Sequence, residues 1–411
     1  MIKLRDYQQD IVERGTRILR EHRLLYLAME VRTGKTLTSL SICDSLGVEN
    51  VLFITKKKAI SSITEDVEKG GFCHFNFWCI NYESLHKIPD VDWDVIVCDE
   101  AHSMSKFPTP SNRAKHVRKL LEKCNPYYIL LSGTPTPESF SQMYHQVYGH
   151  RNNPFRKYKN FYKFAHDFVR VTSRKINSNY VNDYSNGRKE ILEVMKPYTI
   201  SYSQKQAGFQ TKTTETVLKV KMSDTTYKIV NMLKKNLVVE GKQEVILADT
   251  SVKLMMKLHQ LFSGTIKFES GNSTIIDTTK AQYIYNKFKG KKIGIFYKFK
   301  EELNAIKEVY NDSITTDIKE FQDTNKNIAL QIVSGREGIS LKQAVALVYY
   351  NIDFSATSYW QSRDRMTTKD RLKNDVYWVF SENGIEQKIY DAVSKKKDYT
   401  LSHFKNDLRL L

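Results

Sequence analysis

Two short runs carry residue types and spacing suited to chemistry on a nucleotide polyphosphate: Gly34-Lys35-Thr36 and Asp99-Glu100-Ala101-His102. The first follows an apolar stretch, Leu24 to Ala28, and precedes Leu37, Leu40 and Ile42. That order reads as a buried strand, a tight turn and an amphipathic helix, which turns backbone N–H groups toward an anion. Gly34 lets those N–H groups approach phosphate oxygens, with Thr33 beside it in the loop; Lys35 reaches the β- and γ-phosphates, and the Thr36 hydroxyl suits Mg²⁺. The full phosphate-loop spacing asks for a glycine where this chain has Met29, so the turn alone also fits an ordinary helix start.

The second run ends another apolar strand, Val95 to Cys98, in two adjacent carboxylates. Such an ending is costly unless the carboxylates meet a cation. Asp99 is placed to hold Mg²⁺, partly through water, and Glu100 to orient and deprotonate an attacking water. A third strand, Tyr127 to Leu131, ends in Ser132-Gly133-Thr134-Pro135, hydroxyls suited to sensing the phosphate site. Upstream, Gln8 follows Leu4-Arg5-Asp6-Tyr7, and its amide pairs a donor with an acceptor as an adenine edge requires.

These groups need elements to hold them. Lys3 to Leu19 reads as a helix, Val51 to Ile54 and Phe77 to Ile80 as further strands, the former running into Thr55 and three lysines. Strands alternating with helices imply an α/β fold with parallel sheets and functional loops along one sheet edge. In the second half, Thr213 to Met222 alternates as a strand, and Ser223-Asp224 caps a helical pattern through Leu237. Segments 251–262 and 279 onward read as helices, and 292–297, 328–333 and 346–351 as strands.

At 411 residues the chain is expected to form more than one domain. No stretch approaches a membrane span and MIKLRDYQQD lacks a signal-peptide core, so a cytoplasmic protein of a bacterium or a virus-infected cell is expected. The five cysteines form no C-x-x-C pair, and Cys73, His74, Cys79 and His86 match no standard zinc spacing.

The net charge of +18 argues for a polyanionic partner. Between Arg151 and Lys221 fifteen Lys/Arg face five Asp/Glu, so 15 − 5 = +10 of the excess lies there. Phe155, Tyr158, Phe161, Tyr162, Phe164 and Phe168 interleave with Arg156, Lys157, Lys159, Lys163 and Arg170. The run reads either as a nucleic-acid track or as a helix whose aromatics are core and whose charges are solvated.

Taken in order, the motifs resemble those of the superfamily 2 helicase-like ATPases, and within them the Snf2-like double-stranded DNA translocases. LRDYQ is similar to the adenine-reading Q motif, EVRTGKT to motif I, NYESL to Ib, DEAH to II and SGTP to III. Gly335 to Leu341 resembles motif V, and Asp353 to Arg365 follows the spacing of motif VI. The resemblance implies two RecA-like lobes with helical insertions and an ATP site in the cleft between them. By number, lobe 1 is expected at 1–149, a basic and aromatic helical insertion at 150–212, a linking strand and helices at 213–275, and lobe 2 at 276–411.

It further implies catalysis by Lys35, Asp99, Glu100 and Arg365, and nucleotide binding by Gln8, Thr33, Gly34, Lys35, Thr36, Gly338, Gln361 and Arg365. Thr36 and Asp99 would hold Mg²⁺. Gln361 and Arg363 would link the ATP site to a DNA-facing surface. Arg32 and Arg336 replace glycines usual in the family, and Thr368 stands where the family has a second motif VI arginine. Arg365 is then expected to supply the charge, with Lys369 or Arg371 as helpers. The expected function is a monomeric, Mg²⁺- and ATP-dependent motor moving on double-stranded DNA in replication, recombination, repair or transcription. An RNA-directed helicase and a catalytically weakened DNA-binding relic stay open beside it.

Overall fold

The structure is a computed structural model describing residues 3–176, 179–241, 244–335 and 339–395. It forms two compact units, Met1–Phe209 and Gln210–Leu411. The first is built on strands β1 (Leu24–Met29), β2 (Asn50–Thr55), β3 (Asn76–Asn81), β4 (Val95–Asp99) and β5 (Tyr127–Leu131), with a hairpin of β6 (Thr172–Ile176) and β7 (Asn179–Asp183), and β8 (Thr199–Tyr202). All but the hairpin join one parallel sheet in the order β3-β2-β4-β5-β1-β8.

Every central strand of this sheet is apolar on both faces, as a sheet covered by helices on each side requires. Leu25, Leu27, Val51, Phe53, Val95, Val97, Ile129 and Leu131 pack on one face, with Ile11 and Leu19 of α1 (Asp6–His22) and Leu40 and Ile42 of α2 (Lys35–Leu46). Their neighbours Leu24, Tyr26, Leu52, Ile54, Ile96, Tyr128 and Leu130 pack on the other. The split follows the two-residue side-chain period of a strand. Because all strands are parallel, the ends of β1, β2, β4 and β5 bring their following loops to a single edge.

The second unit repeats the plan. Its strands are β9 (Lys212–Val220), the short pairs β10 (Val238–Glu240) with β11 (Val245–Leu247) and β12 (Thr265–Lys267) with β13 (Ser273–Ile275), then β14 (Ile293–Tyr297), β15 (Ile314–Thr315), β16 (Asn327–Gln331), β17 (Ala346–Tyr349) and β18 (Lys373–Ser381). Six of them form a parallel sheet, β15-β16-β14-β17-β18-β9. The fold class is therefore α/β, two parallel six-stranded sheets flanked by helices, as in RecA-like lobes.

Segment 150–212 is not purely helical, as its lack of alternation suggested. It contains the β6–β7 hairpin, and β8 joins the first sheet beside β1, with Met29 opposite Tyr202. Strand β9 pairs with β18 along its whole length, from Lys212 opposite Lys373 to Val220 opposite Ser381. The Glu215 carboxylate of β9 accepts from the Tyr359 hydroxyl at 2.9 Å, the Trp378 indole at 2.9 Å and the Tyr390 hydroxyl at 3.4 Å, and pairs with Arg363. A partly buried carboxylate gains from this many donors, which offset its lost hydration.

The aromatic run resolves in favour of core. Phe155, Phe161 and Phe164 are fully buried and pack with Tyr144, while Tyr162 is 53% exposed. Arg156, Lys157, Lys159, Lys163 and Arg170 lie on the solvent side of the same segment. Phe164→Ala is expected to cost about 3–5 kcal/mol of stability through the cavity it leaves, and Tyr162→Ala less than about 0.5 kcal/mol, read as denaturant midpoints.

Candidate nucleotide site

The loop from Glu30 to Gly34 leaves β1 and enters α2. At Gly34 φ is +83°, a left-handed turn, and a Cβ there would lie 2.3 Å from the Gln8 side-chain nitrogen. Only glycine suits this position. The rest of the loop is tied from several directions. Thr33 Oγ1 donates to the Glu30 carbonyl at 2.7 Å, and Lys35 Nζ to the same oxygen at 3.3 Å. The Tyr7 hydroxyl donates to the Thr33 carbonyl at 3.0 Å. Thr36 lies in the first turn of α2, its hydroxyl-bearing side chain half-buried.

Gln8 is buried, and both ends of its amide are engaged within the unit. Its oxygen accepts from Arg5 N at 3.0 Å, while its nitrogen lies 3.4 Å from the Gly34 carbonyl and 3.4 Å from Thr38 Oγ1. The residue thus braces the turn of the phosphate loop against the start of α1. The aromatic neighbour Tyr7 stacks on Tyr202 with ring centroids 4.6 Å apart.

Asp99 closes β4, and its carboxylate accepts from Thr55 Oγ1, at the end of neighbouring β2, at 2.8 Å. Burial is the main cause that lifts its carboxyl to about 6; the Glu100 charge adds to the rise, while the Thr55 hydrogen bond and the Lys35 charge oppose it. Lys35 and Asp99, from separate motifs, therefore share one electrostatic environment. Glu100 follows in a left-handed conformation, φ +50°, and its carboxylate lies 3.2 Å from His102 Nδ1. The same imidazole nitrogen is 3.0 Å from Ser132 Oγ, which accepts from Thr134 N at 3.1 Å. The loop after β5 is thereby bonded to the loop after β4, beside the acidic pair.

Two supports were not anticipated from sequence. Tyr82, within the NYESL run, is buried and donates to the Asp99 carbonyl at 2.7 Å. Beyond β8, Gln204 N donates to the Glu30 carboxylate at 2.7 Å and Gln204 Nε2 to the Val31 carbonyl at 3.0 Å. Contacts across so much chain leave no local signal; only the strand that carries Gln204 to this edge could have revealed it.

In the second unit Arg365 follows the helix Ala356–Ser362. Its Nε donates to the Gln361 carbonyl at 3.0 Å and its Nη1 to the Ile339 carbonyl at 3.4 Å. Gln361 is buried. Arg363, expected to relay toward a nucleic-acid surface, instead pairs with Glu215 and lies over the Trp360 ring at 4.2 Å. Arg371, expected as a catalytic helper, is committed to the main chain: it donates to the carbonyls of Ala344 at 2.8 Å, Lys373 at 3.0 Å and Val345 at 3.1 Å. Lys369 is exposed. Gly338, together with Arg336 and Glu337, lies outside the described residues.

The donor set fits a metal–nucleotide pair. A carboxylate at a strand end, raised by burial and by a second carboxylate, is relieved by a divalent cation, and a lysine in a glycine-cornered loop suits a polyphosphate.

This arrangement, in a fold of two parallel α/β sheets, is similar to known families. Residues 73–264 match the SNF2-related domain family, and residues 1–70 the res subunit of type III restriction enzymes. The SNF2-related match covers just under half of the chain. RNA polymerase-associated protein RapA of Yersinia pestis, in strains Pestoides F and bv. Antiqua Angola among others, is 34% identical over 85 residues. That stretch is 21% of this chain and only 9% of the relatives' length. The SWI2/SNF2 ATPase core of Sulfolobus solfataricus in complex with dsDNA is 16% identical, covering 100% of this chain and 95% of that one, with a TM-score of 0.43. The same core domain in a second structure is 17% identical over 96% and 89%, with a TM-score of 0.44. Among the described residues no helix is long and apolar enough to cross a membrane.

The raised Asp99 carboxyl has a consequence for stability. The folded chain holds that proton more tightly than the unfolded chain, so wild-type stability is full below about pH 4 and falls as pH rises through about 6. Asp99→Asn lacks this penalty. In metal-free buffer it should be more stable than wild type by about 1–2 kcal/mol at pH 7.5, an advantage that disappears at pH 4. Thermal melts across that range check it.

Proposed function

We propose that the protein is an ATP-driven motor on double-stranded DNA, hydrolysing ATP at the site formed by the first unit's phosphate loop and acidic pair. The observation that carries the reading is that the parallel strands β1 and β4, on either side of β5, end at one sheet edge and so bring the phosphate loop and the acidic pair together there. Lys35 binds the β- and γ-phosphates, and Gly34 and Thr33 shape the loop that receives them. Glu100, held by His102, orients a water and takes its proton. Thr36 and Asp99 hold Mg²⁺, which when bound neutralises phosphate charge and orders the oxygens for in-line attack. Arg365 is proposed to complete the charge balance from the second unit, and Gln8 to report the presence of the base through its bonds to the phosphate loop.

A strongly basic chain supports nucleic acid as the partner. So does a cleft of about 430 Å³ beside the helix Asn112–Cys124, lined by Lys115, Arg118 and Lys119 of that helix together with Lys159 and Tyr162. The resemblance of the motifs to Snf2-like double-stranded DNA translocases is the ground for reading that partner as duplex DNA rather than RNA. Each cycle of binding and hydrolysis would alternate the grip of two units on the phosphate backbone.

ATP turnover, measured as phosphate release, should rise severalfold or more with duplex DNA and fall steeply between about 50 and 200 mM salt. Lys35→Ala should reduce it at least about a hundredfold. Stimulation by RNA alone would favour the RNA-directed alternative. Duplex binding without any turnover would favour a DNA-binding relic.

A further inference from the structure

Tyr162 is the ring of its segment that the aromatic core leaves out. It is 53% exposed, and its two aromatic neighbours, Phe161 at 6.3 Å and Tyr184 at 5.8 Å, meet it at 81° and 69°, so neither lies flat on it. It lines the cleft of about 430 Å³ whose basic wall is the helix Asn112–Cys124. Lys115, Arg118 and Lys119 of that helix stand three and four residues apart and therefore share one face. Arg118 is committed: it pairs with Glu122 at 2.7 Å and lies over the Tyr148 ring at 5.1 Å. Lys115, Lys119 and Lys159 pair with no carboxylate among the described residues, so three positive charges around the cleft stand unbalanced.

The walls of the cleft are tied to one another. The Tyr148 hydroxyl donates to the Lys159 carbonyl at 2.7 Å, His145 Nε2 lies 2.8 Å from the Pro108 carbonyl, and the His145 ring stacks on Phe161 at 5.6 Å. Asn160 Oδ1 accepts from Lys163 N at 3.0 Å, which caps the helix Phe161–Phe168 and fixes the turn between Lys159 and Tyr162. A cleft of this volume takes one small-molecule-sized group and not a double helix, whose major groove alone is ~12 Å wide. Unbalanced lysines ask for phosphate, and an uncovered ring beside them asks for a flat partner. We propose that the cleft is a binding site for an unpaired nucleotide of a nucleic-acid strand, its base stacked on Tyr162 and its flanking phosphates held by Lys115, Lys119 and Lys159. Duplex DNA offers such a nucleotide only at an end, a gap or a displaced strand, so the site distinguishes these from continuous duplex.

This inference rests on the reading of nucleic acid as the partner, and its test is kept apart from the motor reading. Fluorescence anisotropy of a labelled oligothymidylate about ten nucleotides long, titrated with the full chain in the absence of ATP, reads occupancy. Tyr162→Ala should weaken binding about tenfold, and Tyr162→Phe, which keeps the ring, should bind as wild type does. An abasic strand of the same length should bind wild type about as weakly as oligothymidylate binds Tyr162→Ala, and should bind both proteins alike. Lys115→Ala combined with Lys119→Ala should flatten the slope of log affinity against log salt by about 1.4, the value for two phosphate contacts on a single strand. All three positions are exposed, so the variants should melt with wild type. The inference is overturned if Tyr162→Ala binds oligothymidylate as wild type does, if it loses the abasic strand equally, if the double lysine variant keeps the wild-type salt slope, or if a phosphotyrosine peptide displaces the strand better than unlabelled oligothymidylate. Wild type that binds the strand in this way but never releases phosphate from ATP would overturn the motor reading and leave the cleft assignment standing.

Discussion

Two carboxylates at the end of a buried strand are the constraint around which the first unit is arranged. Asp99 and Glu100 repel one another, and burial raises the cost of charging Asp99. Lys35 offsets part of that cost, Thr55 another part, and a divalent cation would offset the rest. The neighbouring elements are where they must be to serve this pair. Strand β2 ends in the hydroxyl that bonds Asp99, the NYESL run supplies the tyrosine that bonds its carbonyl, and β5 leads into the serine beside His102. A parallel sheet makes this possible because all its strands end on one edge.

The same edge explains the last strand of the unit. Residues beyond β5 wander through an aromatic-cored insertion and return as β8, beside β1. That return sets Tyr202 on Tyr7 and Gln204 on Glu30 and Val31. The phosphate loop is thus clamped between the beginning of the unit and its end. Any shift of the chain near residue 204 is transmitted to the loop through two hydrogen bonds and a ring stack. In the second unit the corresponding investment is in rigidity: Glu215 gathers donors from two helices and a strand, and Arg371 collects the carbonyls that precede β17.

Much of this was legible in the sequence where chemistry is local. The glycine-lysine-threonine turn, the acidic strand end and strands β1 to β5 announce themselves because a fully buried parallel strand must be apolar and because a nucleotide loop needs few residue types. The short strands β10 to β13 were not visible, three residues being too few to show a period. The aromatic run near 160 was ambiguous for a physical reason: a core helix and a stacking platform both place rings beside lysines. Arginines were the least legible. Arg363 and Arg371 stand near the motif VI spacing, yet one balances a partly buried glutamate and the other satisfies carbonyls, roles that sequence position does not distinguish. Conversely, the oddity of Arg32 was visible as a missing glycine, but its positive φ needed the structure.

The account stands on the acidic pair and the phosphate loop binding one metal–triphosphate unit together. Calorimetric titration of ATP with and without Mg²⁺, on wild type, Asp99→Asn and Lys35→Ala, tests this directly. Wild type should bind ATP more tightly with Mg²⁺ than without; Asp99→Asn should lose that difference while still binding free ATP, and Lys35→Ala should weaken both. Equal affinity of wild type for ATP with and without the metal, or Lys35→Ala binding as wild type does, would contradict it.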